Sequence, residues 1–475
     1  MTIKQISALL LSAAMALSCA ACGAQGSTAA SAAPTPAQTA DTAGETALFL
    51  SDEGCTVDGA AISADPADRV YAGADIVYYE DGRDETYGAG TEADSHSAEE
   101  AAAHTVVTIT QPGTYRVSGT LSAGQLAVDL GGDAASDPEA VVTLILDGVE
   151  VSCTVAPAII FYSVYECGSA DTETAAAIVD TSAAGANVIL ADGSENHVDG
   201  SYVAKIYREG TEKKLHKYDG AFYSKMSMNV DGESGGTGKL FITAANEGLD
   251  SELHLTINGG NISITAQNDG INTNEDNVSV TTVNGGSLYI NAGLGDEGDG
   301  IDSNGYLVIN GGDIVTLGNG RTGDGGLDAE YPILLNGGNV LALGSRNDSV
   351  DSASAQGYLA FSFARTQAAG SLLTVSGEDG GTLLSYTAEK EYQSLIYSAP
   401  GLSADGTYTV AVDGEAQENS GFGGGMGGGP GGMGGGQRPD GMEPPEGLEL
   451  PEGMERPEGD MPGQRPGGGE ITAPT

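Results

Sequence analysis

Carboxylates and amides recur along this chain in one pattern: acid or amide, small residue, aliphatic, acid or amide, small residue. The copies are Asn246-Glu-Gly-Leu-Asp-Ser, Asn268-Asp-Gly-Ile-Asn-Thr, Asp299-Gly-Ile-Asp-Ser, Asp324-Gly-Gly-Leu-Asp-Ala and Asn347-Asp-Ser-Val-Asp-Ser. Asp219-Gly-Ala-Phe-Tyr-Ser reads as an earlier, degenerate copy. Side chains alternate across a strand, so the aliphatic points inward and the flanking acids outward. Acids stacked at the ~4.8 Å spacing of neighbouring strands repel, and each raises the other's pKa. A calcium ion takes oxygen ligands at ~2.3–2.6 Å, so one ion can bridge oxygens of adjacent strands. The candidate ligands are Asp250, Asp269, Asp299, Asp302, Asp324, Asp328, Asp348 and Asp351, with amide oxygens of Asn268, Asn272 and Asn304 available to complete a shell. These are hard oxygens, with no cysteine and only His254 nearby, which favours Ca²⁺ over transition metals. The competing account is ordinary Asp/Asn turn chemistry on a solvated corner.

The elements that must position these corners announce themselves by a fixed period. Asn-Gly-Gly occurs at Asn258, Asn284, Asn310 and Asn336, always 26 residues apart. A period in this range marks a solenoid. At this spacing Ile257, Val283, Ile309 and Leu335 fall in one column, and Ile262, Leu288, Ile314 and Val340 in another. Aliphatics recurring in register from coil to coil suit the interior of a parallel β-helix. The fold expected is all-β: a single-stranded right-handed parallel β-helix with a disordered C-terminal tail. Its strands begin in earnest at Thr105, its regular repeats run from about Leu240 to Ser352, and the less regular 361–412 stretch reads as a cap.

The chain carries 67 acids against 18 bases, a net charge of −49. That field excludes nucleic acid and anionic lipid as surface partners. With 74 glycines, 5% aromatics and no tryptophan, tight-turned β structure is favoured over a helical bundle. Lys4 followed by the apolar Ile6–Leu17 reads as an export signal. Ala21-Cys22-Gly23 resembles a bacterial lipoprotein processing site, with Cys19 as an alternative. The expected organisation is a lipoprotein signal at 1–22, a flexible tether at 23–44, a parallel β-helical domain at 45–418 and a Gly/Met/Pro-rich disordered tail at 419–475. The expected location is extracellular, on the outer face of the cytoplasmic membrane, touching the membrane only through its lipid. Cys153 and Cys167 are a candidate disulfide pair. Seven of the 18 bases fall between Lys205 and Lys239, which reads as a solvated insertion.

The order of several segments resembles a family of secreted bacterial carbohydrate-binding proteins built as a right-handed parallel β-helix. The segments are Thr108–Leu121 (TITQPGTYRVSGTL), Leu144–Val151 (LILDGVEV), Ala186–Val198 (ANVILADGSENHV), Tyr218–Lys225 (YDGAFYSK) and the paired acidic-corner and Asn-Gly-Gly coils up to Leu343. The resemblance covers about residues 45–420 and implies calcium and a polysaccharide partner of cellulose or pectic-acid type. The Glu166–Ser182 segment and the Lys-rich insertion depart from the family pattern, so sugar contacts near them do not carry over.

Three functions follow as expectations. The first is non-catalytic polysaccharide binding, with Tyr306 and Tyr331 as flat faces and Arg321 and Arg346 as carboxylate-holding cations. The second is a calcium-dependent polysaccharide lyase, which needs a base for the C5 proton. The regular coils offer only Arg321 and Arg346, and arginine stays charged. Their alternative role is pairing with Asp324 and Asp348. The third is a structural adhesin or spacer. No catalytic residue is assigned.

Overall fold

The computed structural model describes residues 44–83, 90–207, 214–403 and 406–421. Cys22, the signal before it, the tether after it up to residue 43, and the tail beyond residue 421 lie outside the described residues. The fold is all-β, and among the described residues helix is confined to short turns such as Ala98–Ala102.

Strands one period apart pair in parallel. Lys239–Ala244, Asn261–Ala266, Ser287–Asn291, Asp313–Leu317 and Asn339–Gly344 form one wall, each joined to the next in register. His254–Ile257, Val280–Val283, Tyr306–Ile309 and Leu334–Leu335 form a second. Ile159–Ser163, Gly220–Ser224, Glu247–Ser251 and Ile271–Thr273 form a third, which single bridges extend through Ile301 to Leu327. Both expected aliphatic columns are in register and buried between the walls.

The Asn-Gly-Gly turn has a physical reason at each position. The second glycine adopts a left-handed backbone (φ +89° at Gly260 and Gly286, +99° at Gly312, +88° at Gly338). The first has no room for a side chain: a Cβ on Gly337 would lie 2.3 Å from the Asn310 carbonyl oxygen of the coil before. The asparagines stack into a ladder in which each Nδ2 donates to the preceding Oδ1, at 2.8 Å for Asn284 to Asn258 and 2.9 Å for the next two steps.

The sheets are mixed, which corrects the expectation of one parallel solenoid through to residue 418. Beyond the last parallel bridge, Ile333 to Val350, the pairing turns antiparallel: Tyr392–Ser398 runs against both Asn339–Gly344 and Tyr358–Gln367. Leu372–Gly377, Thr382–Thr387 and Tyr408–Val412 make a separate antiparallel sheet. This layer has its own core, in which Phe361, Phe363, Tyr392 and Leu395 pack on Val315, Leu317, Leu341 and Leu343. The layer covers the outer faces of the last two coils and occupies the strand edge that a parallel stack otherwise leaves open. At the other end, Glu45–Leu50 pairs in parallel with Gly113–Leu121, so stacking begins well before Thr105. Cys55, Cys153 and Cys167 are all unpaired thiols, so the candidate disulfide is absent.

Candidate functional site

Strand register brings the acidic corners together. Tyr223, Asp250 and Asn272 are paired neighbours on successive strands, and the Ile271–Ile301–Leu327 bridges place Asp302 and then Asp328 beyond them. Asp348 follows, its backbone N–H donating to the Leu327 carbonyl at 3.1 Å. A second column three positions back holds Glu247, Asp269 and Asp299, joined where the Asp299 N–H donates to Asp269 Oδ1 at 2.6 Å. The degenerate copy at Asp219 takes its place in the same stack, with Gly220 opposite Glu247.

These acids do not simply face water, contrary to the alternation argument. Asp250, Glu247 and Asp269 are buried, with Asp250 at 0% exposure. Asp299, Asp302, Asp324, Asp328, Asp348 and Asp351 are half-buried. Burial foremost, then neighbouring carboxylates, pushes Asp269, Asp302 and Asp328 up to about 7 and Asp299 to about 10. Asp219 is pushed to about 7 by burial and then by Glu247, and Glu247 and Asp250 are raised for the same reasons. Asp324 is engaged by the Gly298 N–H at 3.0 Å, and Asp351 closes a local turn onto the Ala353 N–H at 2.8 Å.

A cation from the insertion enters the buried end of this cluster. Lys217, on the strand Lys214–Tyr218, reaches to 3.3 Å from Asp219 Oδ2 with its side chain only 13% exposed, and donates to Asn274 Oδ1. Asn274 in turn donates to Asp250 Oδ1. Burial alone would lower the Lys217 ammonium, but Asp219, Glu247, Asp250 and Glu252 outweigh it and hold it above the usual lysine value. The reading of this insertion as merely solvated is therefore corrected for Lys217.

The donor set fits a hard cation. Glu247 Oε2, Asp250 Oδ2 and Asn272 Oδ1 are buried oxygens with no hydrogen-bond partner. Buried acceptors are almost always satisfied, so three orphans in one cluster call for a positive group. Among the described residues, no three carboxylate, imidazole or thiol groups close around one point. A bound cation would thus draw on amide and backbone oxygens as well, as calcium does.

Beside the column stand the expected tyrosines. Tyr306 and Tyr331 stack with ring centroids 4.4 Å apart and an interplanar angle of 23°, and the Tyr331 hydroxyl donates to Asn277 Oδ1 at 3.3 Å. The arginines separate. Arg346 leans over the column at 3.6 Å from Asp328 and 3.9 Å from Asp348. Arg321 is exposed and pairs with Glu391 of the antiparallel layer, at 3.1 and 3.3 Å, rather than with Asp324. That layer also supplies Lys390, whose ammonium donates to the Ala292 carbonyl and is lowered to about 8 by burial, against the pull of Asp324.

A family model described as carbohydrate-binding domain-containing protein matches residues 103–169 and 164–410. The chain belongs to this family. A carbohydrate-binding domain-containing protein of Acetivibrio thermocellus is 32% identical over 161 residues, which is 34% of this chain and 45% of that relative. The alignment thus spans under half of the relative's length. A solved structure described as a polysaccharide lyase-like protein from C. thermocellum, in a gadolinium derivative, is similar at 22% identity and a TM-score of 0.37, over 62% of this chain and 90% of that one.

Proposed function

We propose that this member of the carbohydrate-binding domain family is a non-catalytic polysaccharide-binding protein, built as a right-handed parallel β-helix. We further propose that calcium stabilises it and that it is displayed outside the cell as a lipoprotein on Cys22. The observation carrying the reading is a buried acidic column with unpartnered oxygens at Glu247, Asp250 and Asn272, and a stacked tyrosine pair, Tyr306 and Tyr331, on the later coils that carry Asp302 and Asp328. Calcium bridging adjacent coils of this column, with fewer than three of its carboxylates, the Asn272 amide and backbone oxygens, would supply the positive charge that an acidic polymer needs to approach a chain of net charge −49. Tyr306 and Tyr331 offer flat apolar faces, and Asn277 and Asn304 offer hydrogen bonds at their rim. The expected ligand at this corner is a pectic-acid-like polymer.

The test is retention on insoluble polygalacturonate with calcium. Tyr306→Ala/Tyr331→Ala should weaken retention about tenfold, as loss of central aromatic contacts does. Unchanged retention would remove the tyrosines from the site, and no retention by the wild type would favour the adhesin or spacer alternative.

One observation favours the lyase as a second reading. Among the described residues, Lys390 is a half-buried lysine whose value falls to about 8, toward the working range of a base. Lys217, by contrast, is held charged by its carboxylates and cannot accept a proton. Sustained release of unsaturated products from polygalacturonate at alkaline pH, abolished by Lys390→Ala, would establish the lyase. Binding without any such release is the expected result.

A further inference from the structure

On the wall formed by the second set of strands, outward-facing residues make a row across the coils. Asn229, Thr256, Thr282, Val308 and Leu334 are register partners, one to the next. The asparagine ladder runs alongside this row, two residues further on in each coil. The segment Ala177–Ser182, part of the departure from the family pattern, stands over the row's first half. Together they enclose a groove of about 330 Å³.

Four features of this groove point to one kind of occupant. The first is charge: in a chain of net charge −49, Asp180 is the one ionisable residue among those lining it. The second is unspent hydrogen bonding. Asn284 and Asn310 each use one N–H and one oxygen lone pair on their ladder neighbours; Asn258 only accepts in the ladder, and the Asn336 oxygen accepts from the Ala355 N–H, so donor and acceptor capacity remains along the exposed row. This capacity repeats every ~4.8 Å, over about 14 Å from Asn258 to Asn336. The third is apolar lining: Ile178 on the covering segment is 86% exposed, and Leu334 and the largely covered Val308 line the same groove. The fourth is anchorage. Thr181 donates to Asn229 Oδ1 or Thr256 Oγ1 (2.8 and 2.7 Å), and Asn229 Nδ2 donates back to the Thr181 carbonyl at 2.8 Å, so the wall is tied to the sheet.

We infer that this groove binds a single extended, uncharged polysaccharide chain lying along the stack of coils. Hydroxyls of successive sugars would meet the repeating amide donors and acceptors, and their C–H faces would meet Ile178, Val308 and Leu334. An anionic polymer gains no cation here. A neutral one loses nothing to the surrounding field. The inference rests on the polysaccharide-binding reading and deepens it by giving neutral chains a site separate from the calcium corner.

The experiment uses the mature full-length chain and calorimetric titration with two probes: a soluble cello-oligosaccharide, and oligogalacturonate with calcium. Thr282→Trp fills the groove from an outward-facing position, and Asn284→Ala/Asn310→Ala removes two ladder amides. Both should weaken cello-oligosaccharide binding about tenfold or more while leaving oligogalacturonate binding unchanged. Asp302→Asn should do the reverse. Wild-type binding of oligogalacturonate alone would overturn the groove inference and leave the corner reading standing. Cello-oligosaccharide affinity unchanged in both groove variants would also overturn it. So would a change of oligomeric state by sedimentation in Thr282→Trp with no change in sugar affinity, since that marks the groove as a contact between copies. Loss of both ligands only in Asp302→Asn would place all binding at the corner.

Discussion

Lys217→Met is expected to destabilise the calcium-free protein by about 3–5 kcal/mol, the cost of removing one partner from a buried charge cluster. The side chain is nearly the same length, so packing is largely kept and the change is one of charge. Asp219 then loses its 3.3 Å partner, and the buried Asp250 and Glu247 lose the cation that partly offsets their burial and mutual repulsion. Measured against a typical total of about 5–15 kcal/mol, that is a large fraction. Urea unfolding in EDTA reads it directly. Calcium should restore part of the loss, because an ion can take over the neutralising role. A variant as stable as wild type in EDTA would show that the cluster does not depend on its lysine.

Ile309→Asp is expected to cost more than about 4 kcal/mol and to abolish cooperative unfolding or soluble expression. Ile309 is 0% exposed and sits in register between Val283 and Leu335, so an aspartate there is an unpaired charge with aliphatic neighbours in both adjacent coils. The control lies one residue on. Asn310→Asp falls on the exposed ladder, where the side chain faces solvent, and should cost little beyond its ladder bonds. Equal effects at the two positions would mean that the register across these coils is wrong.

The regular coils were legible because local chemistry repeats. Asn-Gly-Gly marks each turn, and an aliphatic on either side marks each inward position. The acidic corners were legible as a motif but not as a buried cluster, since spacing alone does not say how deeply a corner sits. Lys217 was not legible. It belongs to an irregular insertion, and only folding brings it to Asn274, 57 residues on. Arg321 is a similar case: its acid is 70 residues distant, whereas the sequence offers Asp324 close by. The antiparallel cover left a trace that period counting passes over. Ser287–Asn291 alternates polar and apolar, but Asp313–Leu317 and Asn339–Gly344 read as nearly continuous apolar runs (DIVTL and NVLALG). Strands apolar on both faces need a layer on each side.

The calcium corner is tested most directly by thermal melting with millimolar Ca²⁺ and with EDTA, at about pH 5 and about pH 8. Asp219, Asp269, Asp302 and Asp328 are raised in the folded state to about 7. Raised carboxylates bind more protons folded than unfolded, so without calcium their penalty is absent at low pH and grows as pH rises through 7. Calcium binds the deprotonated form, so its benefit must grow over the same window. The prediction is a midpoint in EDTA that falls between pH 5 and pH 8, and a calcium-induced rise that is small at pH 5 and large at pH 8. Asp302→Asn and Asp328→Asn should shrink that rise, and Asp460→Ala should not. Identical midpoints with calcium and EDTA at both pH values would contradict a calcium site at this corner.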